Sequence, residues 1–106
     1  KPGKVKAWRK HKNISSLFTI VKGKVKMVIA QKTVFGNHYN FDEIILSEDD
    51  MKIIKVKPNI WYGFKCLGEK SSIITNFLSD LYDENEIERI KMNNNKFKYN
   101  WAIKNK

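Results

Sequence analysis

Short runs of alternating apolar and polar residues recur along most of the chain. Seven of them have the length of a β-strand, and turn-forming residues such as Gly23, residues 35–40 and residues 57–59 lie between them. The runs cover residues 5–11, 16–21, 24–30, 42–47, 52–57, 60–66 and 72–78. Many short strands joined by regular turns predict an all-β sandwich or barrel that is closed by antiparallel pairing.

One segment near the C-terminus departs from this alternation. Asp83 followed three residues later by Glu86 has the form of a helix capping box, and the next apolar positions repeat at helical spacing. These features predict one short C-terminal helix over residues 85–92. Residues 97–101 then carry apolar side chains at every second position, so we expect this tail to lie back on the barrel.

Length and composition limit the class of protein. The chain has 106 residues, of which 42% are hydrophobic, and one cysteine, Cys66. This size supports one core, which predicts a single domain over residues 1–106. A lone cysteine forms no internal disulfide, and no apolar run approaches the roughly 20 residues that cross a bilayer. We therefore expect a soluble, cytoplasmic protein that does not bind a membrane.

The net charge of +10 raises the question of a nucleic-acid partner. The positive charge comes almost entirely from lysines that are spread over the whole chain, whereas arginine occurs only as Arg9 and Arg89. Proteins that contact phosphates tend to use clustered arginine and lysine. The scattered lysines favour a solvated surface, and a basic nucleic-acid-binding barrel is kept as the last alternative.

The first predicted strand carries two residues that are unusual for this chain. Arg9 and His11 are two positions apart, so strict alternation places them on the same face as Val5 and Ala7, opposite a face that is mostly lysine. A buried charge is costly unless a partner or a solvated cavity compensates it. The pattern therefore predicts a polar cavity inside the barrel, lined by Arg9 and His11.

Five residues follow the spacing of the first cupin motif: Gly3, Arg9, His11, Ser16 and Gly23. The chain thus resembles the cupin superfamily, which implies a double-stranded β-helix, or jelly roll. Arg9 stands in place of the first motif histidine, Ser16 in place of the glutamate, and Tyr62 in place of the histidine of the second motif. Only His11 remains of the four usual metal ligands, and one imidazole does not hold a divalent ion against water. No metal and no other cofactor is expected.

Further segments, in the right order, resemble the dTDP-4-dehydrorhamnose 3,5-epimerases and related nucleotide-sugar isomerases. They are KAWRKHK (6–12) with SLFTIVKG (16–23), PNIWYGF (58–64), LYDENEIERI (81–90) and NNKFKYNW (94–101). The resemblance covers nearly the whole chain. It implies a homodimer that binds a dTDP-4-keto-6-deoxyhexose-type ligand, and epimerase or isomerase activity in surface polysaccharide biosynthesis.

The resemblance also assigns roles to individual residues. In the epimerases a histidine removes the proton next to the sugar ketone, a lysine stabilises the enolate, and a tyrosine protonates the opposite face. The matching positions are Arg9, Ser16 and Asn76, so all three side chains are substituted. His11 matches the second histidine of related ketoisomerases, which implies a base at His11. We hypothesise that Tyr62 is the general acid, because its strand faces this region in cupins. Arg9 would keep the imidazole neutral and would bind a diphosphate or the enolate.

Other interpretations of these residues stay open. Ser16 and Asn76 are expected to contact substrate. Trp61 is expected to belong to the core or to the cavity wall, and a platform for stacking a sugar or base is the alternative. His11 could be a hydrogen-bonded strand histidine with no chemical role. Because the epimerase side chains are substituted, a catalytically inactive barrel that binds a sugar or nucleotide sugar is the main alternative to an isomerase.

Overall fold

The computed structural model describes residues 4–33, 39–50, 52–68, 72–78, 86–91, 99 and 101. Its strands are β1 (Val5–His11), β2 (Ser16–Lys22), β3 (Lys24–Lys32), β4 (Tyr39–Ser47), β5 (Ile54–Val56), β6 (Trp61–Cys66), β7 (Ile73–Leu78) and β8 (Ile87–Arg89). The first seven confirm the strands predicted from alternation, with ends that shift by a few residues. Among the described residues no helix is long and apolar enough to span a membrane.

Two antiparallel sheets form a sandwich. The larger sheet has the strand order β4-β3-β6-β1-β8, and the smaller sheet has the order β5-β2-β7. Every strand pairing within them is antiparallel. The predicted all-β jelly roll of the cupin type is confirmed.

The main hydrophobic core lies between the two sheets. Its buried members are Phe18, Ile20, Val25, Met27, Ile29, Leu46, Val56 and Tyr62. In β2 the inward Phe18 and Ile20 alternate with the exposed Leu17 and Val21, which is the pattern of a strand with one solvated face.

A second apolar cluster covers the outer face of the larger sheet. It consists of Trp8, Val28, Ala30, Trp61 and Trp101. Because β3 has this cluster on one face and the main core on the other, its residues from Val25 to Ala30 are buried without alternation. Trp101 and Tyr99 lie on this cluster, as expected for the tail, and the rest of residues 97–101 is outside the described part of the chain.

The face assignment of β1 by strict alternation is wrong in its first half. The pairing of β1 with β6 shifts register between Ala7 and Arg9, so that Trp8 is an extra residue in a β-bulge. Lys4 and Lys6 therefore line the interior together with Arg9, whereas Val5 and Ala7 pack on the outer cluster. A single inserted residue reverses the parity of a strand, and hydrophobic periodicity does not reveal it.

The prediction of a short C-terminal helix is also wrong for the part of that segment that the structure describes. Ile87–Arg89 forms β8, which pairs with Arg9, Lys10 and His11 of β1. The Glu86 carboxylate does not cap a helix: it accepts hydrogen bonds from the backbone N–H groups of Asn13 and Ile14. Pairing at the free edge of β1 outweighs the local helical spacing, as tertiary contacts commonly do. Asp83 and residues 85 and 92 lie outside the described residues.

The contact between β1 and β6 requires glycine at position 63. Gly63 pairs with Ala7, and a Cβ added at Gly63 would lie 2.6 Å from the Ala7 Cβ and 3.0 Å from a Trp101 ring atom. We predict that Gly63→Ala destabilises the fold by about 1–3 kcal/mol, the usual cost of overpacking, as measured by urea unfolding. The double variant Ala7→Gly/Gly63→Ala removes the closest contact and should recover part of the loss. Equal stability of Gly63→Ala and the parent would contradict this account.

Candidate active site

His11 and Tyr62 form a buried polar pair at the inner face of the larger sheet. The His11 Nε2 lies 3.1 Å from the Tyr62 hydroxyl oxygen, and the two rings are nearly parallel. Each residue is only 4% exposed. His11 is further held by its backbone carbonyl, which accepts a hydrogen bond of 2.7 Å from the Asn59 N–H. The two side chains that we expected to act in catalysis are thus in direct contact, although they are 51 positions apart in sequence.

The surroundings of this pair determine its protonation at neutral pH. Burial lowers the pKa of His11 below its ordinary value of 6.5; the Glu86 carboxylate opposes this shift and Arg9 adds to it. Burial raises the pKa of Tyr62 to about 12, against the opposite effect of the Arg9 and Arg89 guanidinium groups. Near pH 7 the pair is therefore a neutral imidazole and a neutral phenol. The expected direction of the His11 shift holds, but its main cause is burial rather than Arg9.

A cavity of about 410 Å³ opens between the sheets in front of Tyr62. Its lining residues are Lys4, Lys6, Arg9, Phe18, Val25, Tyr62, Phe64, Cys66, Ser72, Ile73, Ile74 and Asn76. The charged members are all cationic: Lys6 and Arg9 belong to β1, and Lys4 directly precedes it. His11 is not among the described residues of the lining, but its side chain contacts Tyr62, which is among them.

Arg9 lines the cavity and lies beside Tyr62 of the His11–Tyr62 pair. It pairs with Tyr62 of β6 on one side and with Arg89 of β8 on the other, so the two arginines of the chain face each other across neighbouring strands. Lys4 and Lys6 add positive charge along the same wall. Sequence analysis missed both lysines, because the bulge reverses the parity that strict alternation assumes. A cavity with this charge is suited to an anionic ligand.

The remaining expected site residues are placed differently. Asn76 of β7 lines the cavity on the wall opposite Tyr62. Ser16 is fully buried, does not line the cavity, and its hydroxyl has no hydrogen-bond partner among the described residues. Trp61 lies on the other face of β6, in the outer cluster, with the Lys10 ammonium 5.0 Å from its ring centroid. The structure therefore does not bring Trp61 to this cavity.

The donor atoms at the cavity do not suit a divalent metal. Beside its basic side chains, the described lining offers one thiol, Cys66, and one imidazole, His11, lies next to it in contact with Tyr62, which is fewer ligands than a divalent metal site needs. Within the described ranges no group of three or more His, Cys, Asp and Glu side chains could hold a metal ion.

Comparison with known structures identifies the architecture. A dTDP sugar isomerase from Desulfovibrio desulfuricans G20 superposes with a TM-score of 0.87 at 23% identity, over 98% of this chain and 68% of that one. This is the fold of the dTDP-sugar isomerases and epimerases. NovW, a 4-keto-6-deoxy sugar epimerase from Streptomyces spheroides, matches with a TM-score of 0.80 at 16% identity, over 96% of this chain and 53% of NovW.

The sugar 3,4-ketoisomerase QdtA from Thermoanaerobacterium thermosaccharolyticum, solved in complex with TDP, also shares the fold. Its TM-score is 0.67 at 17% identity, over 85% of this chain and 60% of QdtA.

Sequence comparison agrees with the fold. A probable low-salt glycan biosynthesis epimerase of Haloferax volcanii is 26% identical over 84 residues, which cover 77% of this chain. The matched region spans about half, 54%, of that relative. No protein-family model matches the chain. The chain is thus similar in sequence and in fold to sugar epimerases and isomerases.

The lowered pKa of His11 predicts an acid-sensitive fold. Because the folded protein binds a proton at His11 more weakly than the unfolded chain does, its contribution is fully present above pH 6.5 and is lost as the pH falls below that value. His11→Gln should flatten the decline of Tm between pH 7 and pH 5, relative to the parent, in thermal unfolding scans. Parallel Tm curves for the two proteins would show that His11 is not the group responsible.

Proposed function

We propose that this chain binds a nucleotide-linked 4-keto-6-deoxy sugar in the cavity and moves a proton next to the sugar ketone. The observation that carries the proposal is the neutral His11–Tyr62 pair at the wall of a cationic cavity. The chemistry needs no metal, because a ketone already makes the neighbouring C–H acidic enough for acid–base groups to act on. We place this activity in the biosynthesis of surface polysaccharides in the cytoplasm. The resemblance supports this pathway, and the similar epimerase supports a role in glycan biosynthesis.

The charge of the cavity supports a phosphorylated ligand. Arg9 and Lys6 lie on β1 and Lys4 directly precedes it, and a guanidinium with two ammonium groups matches the negative charge of a diphosphate. The apolar wall of Phe18 and Phe64 suits the 6-deoxy face of such a sugar. We assign diphosphate or enolate binding to Arg9, and polar contact with the sugar to Asn76.

Ser16 and Trp61 are not among the described residues of the cavity lining, so we do not assign them direct contact with the ligand. The Ser16 hydroxyl has no hydrogen-bond partner among the described residues and is buried away from the cavity surface. Any effect of Ser16 on a ligand would therefore be indirect, through the residues that line the cavity. Trp61 would act on this site only through the position of β6.

Solvent-deuterium exchange tests the proposed chemistry. In D₂O the protein should introduce deuterium into dTDP-4-keto-6-deoxyglucose, as followed by NMR, because enolisation exchanges the proton whether or not a product accumulates. His11→Ala should reduce this exchange by about 10²-fold or more, the usual contribution of a general base. Lys10→Ala is the matched control, since Lys10 is the neighbouring residue of the same strand and projects to the outer face.

The alternatives give different results in the same assay. If dTDP raises the Tm but no deuterium enters the sugar, the chain is a binding barrel rather than an isomerase. If dTDP has no effect and oligonucleotides bind with a steep salt dependence, the nucleic-acid hypothesis replaces both. Its site would then be the groove of about 730 Å³ beside Trp61, whose lining includes Lys10, Lys32, Lys55 and Lys57.

We further propose a homodimer, as the resemblance implies, formed through the outer face of the smaller sheet. On this face Leu17 pairs with Phe77 and Thr19 with Thr75, which makes an uncharged strip over β2 and β7, with Lys55 of β5 beside Leu17. Two copies can meet through the exposed Leu17 and Phe77 side chains, since exposed apolar side chains that lie together are typical of an interface.

Phe77, which is 60% exposed, is the residue to test for this interface. Phe77→Lys should shift the protein from dimer to monomer in sedimentation velocity at micromolar concentration, because it places two like charges in the contact. Thr33→Lys, at the end of β3 and away from this face, is the control. A parent protein that sediments as a monomer would overturn the proposed dimer.

A further inference from the structure

Four lysine side chains meet at the groove beside Trp61, which is separate from the cavity in the barrel. They are Lys10 of β1, Lys32 at the end of β3, Lys55 of β5, and Lys57, which follows β5. We propose that this groove is a second ligand site, which binds an anionic saccharide: a sugar or short oligosaccharide that carries two or more carboxylate or phosphate groups. The site is additional to the proposed function and does not depend on it.

The lysines of the groove are brought together by the fold and not by the sequence. Lys10, Lys32 and Lys55 lie on three different strands, and in the sequence they belong to a positive charge that is spread over the whole chain. Lys10 has a carboxylate partner, since its ammonium lies 3.0 Å from Glu88. Within the described part of the chain, the other three ammonium groups form no ion pair. Ammonium groups that converge on one groove raise the local positive potential and attract an anion.

The groove has the size of a small-molecule site and holds its charges apart. Its volume is about 730 Å³, compared with about 410 Å³ for the cavity in front of Tyr62. Strand β6 lies between β1 and β3, so Lys10 and Lys32 belong to strands that are roughly 10 Å apart. Lys55 belongs to the other sheet. Lysines with this separation suit a ligand that carries several separate negative charges better than one small ion.

Two amide side chains of the groove can bind the hydroxyl groups of a sugar. The Gln31 amide donates a hydrogen bond of 3.0 Å to the Asp42 carboxylate, which leaves the Gln31 carbonyl oxygen as an acceptor. Asn59 also lines the groove, and its backbone N–H donates to the His11 carbonyl, whereas its side chain has no hydrogen-bond partner in the described part of the chain. Amide oxygens accept hydrogen bonds from hydroxyl groups, which a simple anion lacks. Ammonium and amide groups together therefore favour a saccharide.

The aromatic residues of the groove are not placed for stacking on a nucleobase. Trp61 and Tyr39 both pack on the outer cluster. Trp61 is 5% exposed, and the Lys10 ammonium lies 5.0 Å from its ring centroid. Single-stranded nucleic acids are bound largely through bases that stack on open aromatic faces. The groove therefore favours a saccharide over an oligonucleotide.

The groove and the cavity are lined by different residues. Trp61 and Tyr62 are neighbours in β6 and point to opposite faces of the strand, so that Trp61 lines the groove and Tyr62 lines the cavity. No residue of the described linings is common to both. A saccharide in the groove and dTDP in the cavity should therefore bind at the same time.

Isothermal titration calorimetry of the whole chain with tri-galacturonic acid, which carries three carboxylates, tests the site. This probe should bind at low ionic strength and more weakly at high ionic strength, because salt screens exposed charges. Uncharged maltotriose should not bind, and equal binding of maltotriose would overturn the role of the lysines. Fructose 1,6-bisphosphate provides the phosphate arm, and the tighter of the two anionic sugars identifies the group that the groove prefers. If neither anionic sugar binds, the proposal is wrong.

Charge reversal locates the bound sugar. The double variant Lys55→Glu/Lys57→Glu should weaken the binding of tri-galacturonic acid by about 10-fold or more, because two attractive contacts become repulsive. Both side chains are exposed, so the Tm should change little. Lys22→Glu is the control, since it reverses an exposed lysine at the end of β2, outside the described lining of the groove. Equal losses of affinity per reversed charge in the two variants would show an effect of net charge alone and would overturn the site.

Two competition experiments complete the test. Saturating dTDP should leave the affinity for tri-galacturonic acid unchanged, whereas competition would place the sugar in the cavity and overturn the second site. A thymidine oligonucleotide that binds more tightly than either anionic sugar, and that loses affinity in Lys55→Glu/Lys57→Glu, would assign the groove to nucleic acid instead. Deuterium exchange into the 4-keto sugar does not involve the groove, so failure of this proposal and failure of the proposed function are observed separately.

Discussion

The bulge at Trp8 determines which side chains of β1 meet the cavity and which meet the outer cluster. Trp8 is buried against Trp101, with ring centroids 5.3 Å apart, and is an extra residue relative to β6. Its backbone groups are not left unpaired, because Trp8 exchanges hydrogen bonds of 2.7 and 3.0 Å with Ile90. The chain after β8 therefore satisfies the polar groups that the bulge removes from the β1–β6 ladder. Without the bulge, Arg9 would lie on the opposite face of β1 from Lys6.

The comparison of β1 with β8 shows why part of the site was accessible from sequence and part was not. Alternation predicted β1, and motif spacing pointed to His11 and to Tyr62. Each of these signals depends only on residues that are close to one another in the chain. The bulge and the pairing of Ile87–Arg89 with β1 depend on partners far away in sequence. Local spacing around Glu86 is equally compatible with a helix and an edge strand, and only the open edge of β1 decides between them.

The outer cluster gives structural roles to some of the lysines that make the chain so basic. The Lys26 ammonium is buried, 3.6 Å from the Glu43 carboxylate and 5.0 Å from the Tyr99 ring centroid. Lys65 donates a hydrogen bond of 2.7 Å to the Trp101 carbonyl. These contacts hold the C-terminal segment on the sheet, where cation–π attraction and ion pairing offset the desolvation of the ammonium. Net charge alone is therefore a poor guide to a polyanionic partner.

The substitution of Arg9 for a cupin metal ligand changes the kind of chemistry that the same barrel can support. A guanidinium at this position repels a divalent cation and at the same time supplies fixed positive charge beside the cavity. That charge opposes protonation of His11, and it favours negative charge on Tyr62 or on a ligand. All three effects have the same electrostatic cause. The pair and the arginine thus form a unit, in which loss of the arginine would affect both the binding of an anion and the proton affinity of the groups behind it.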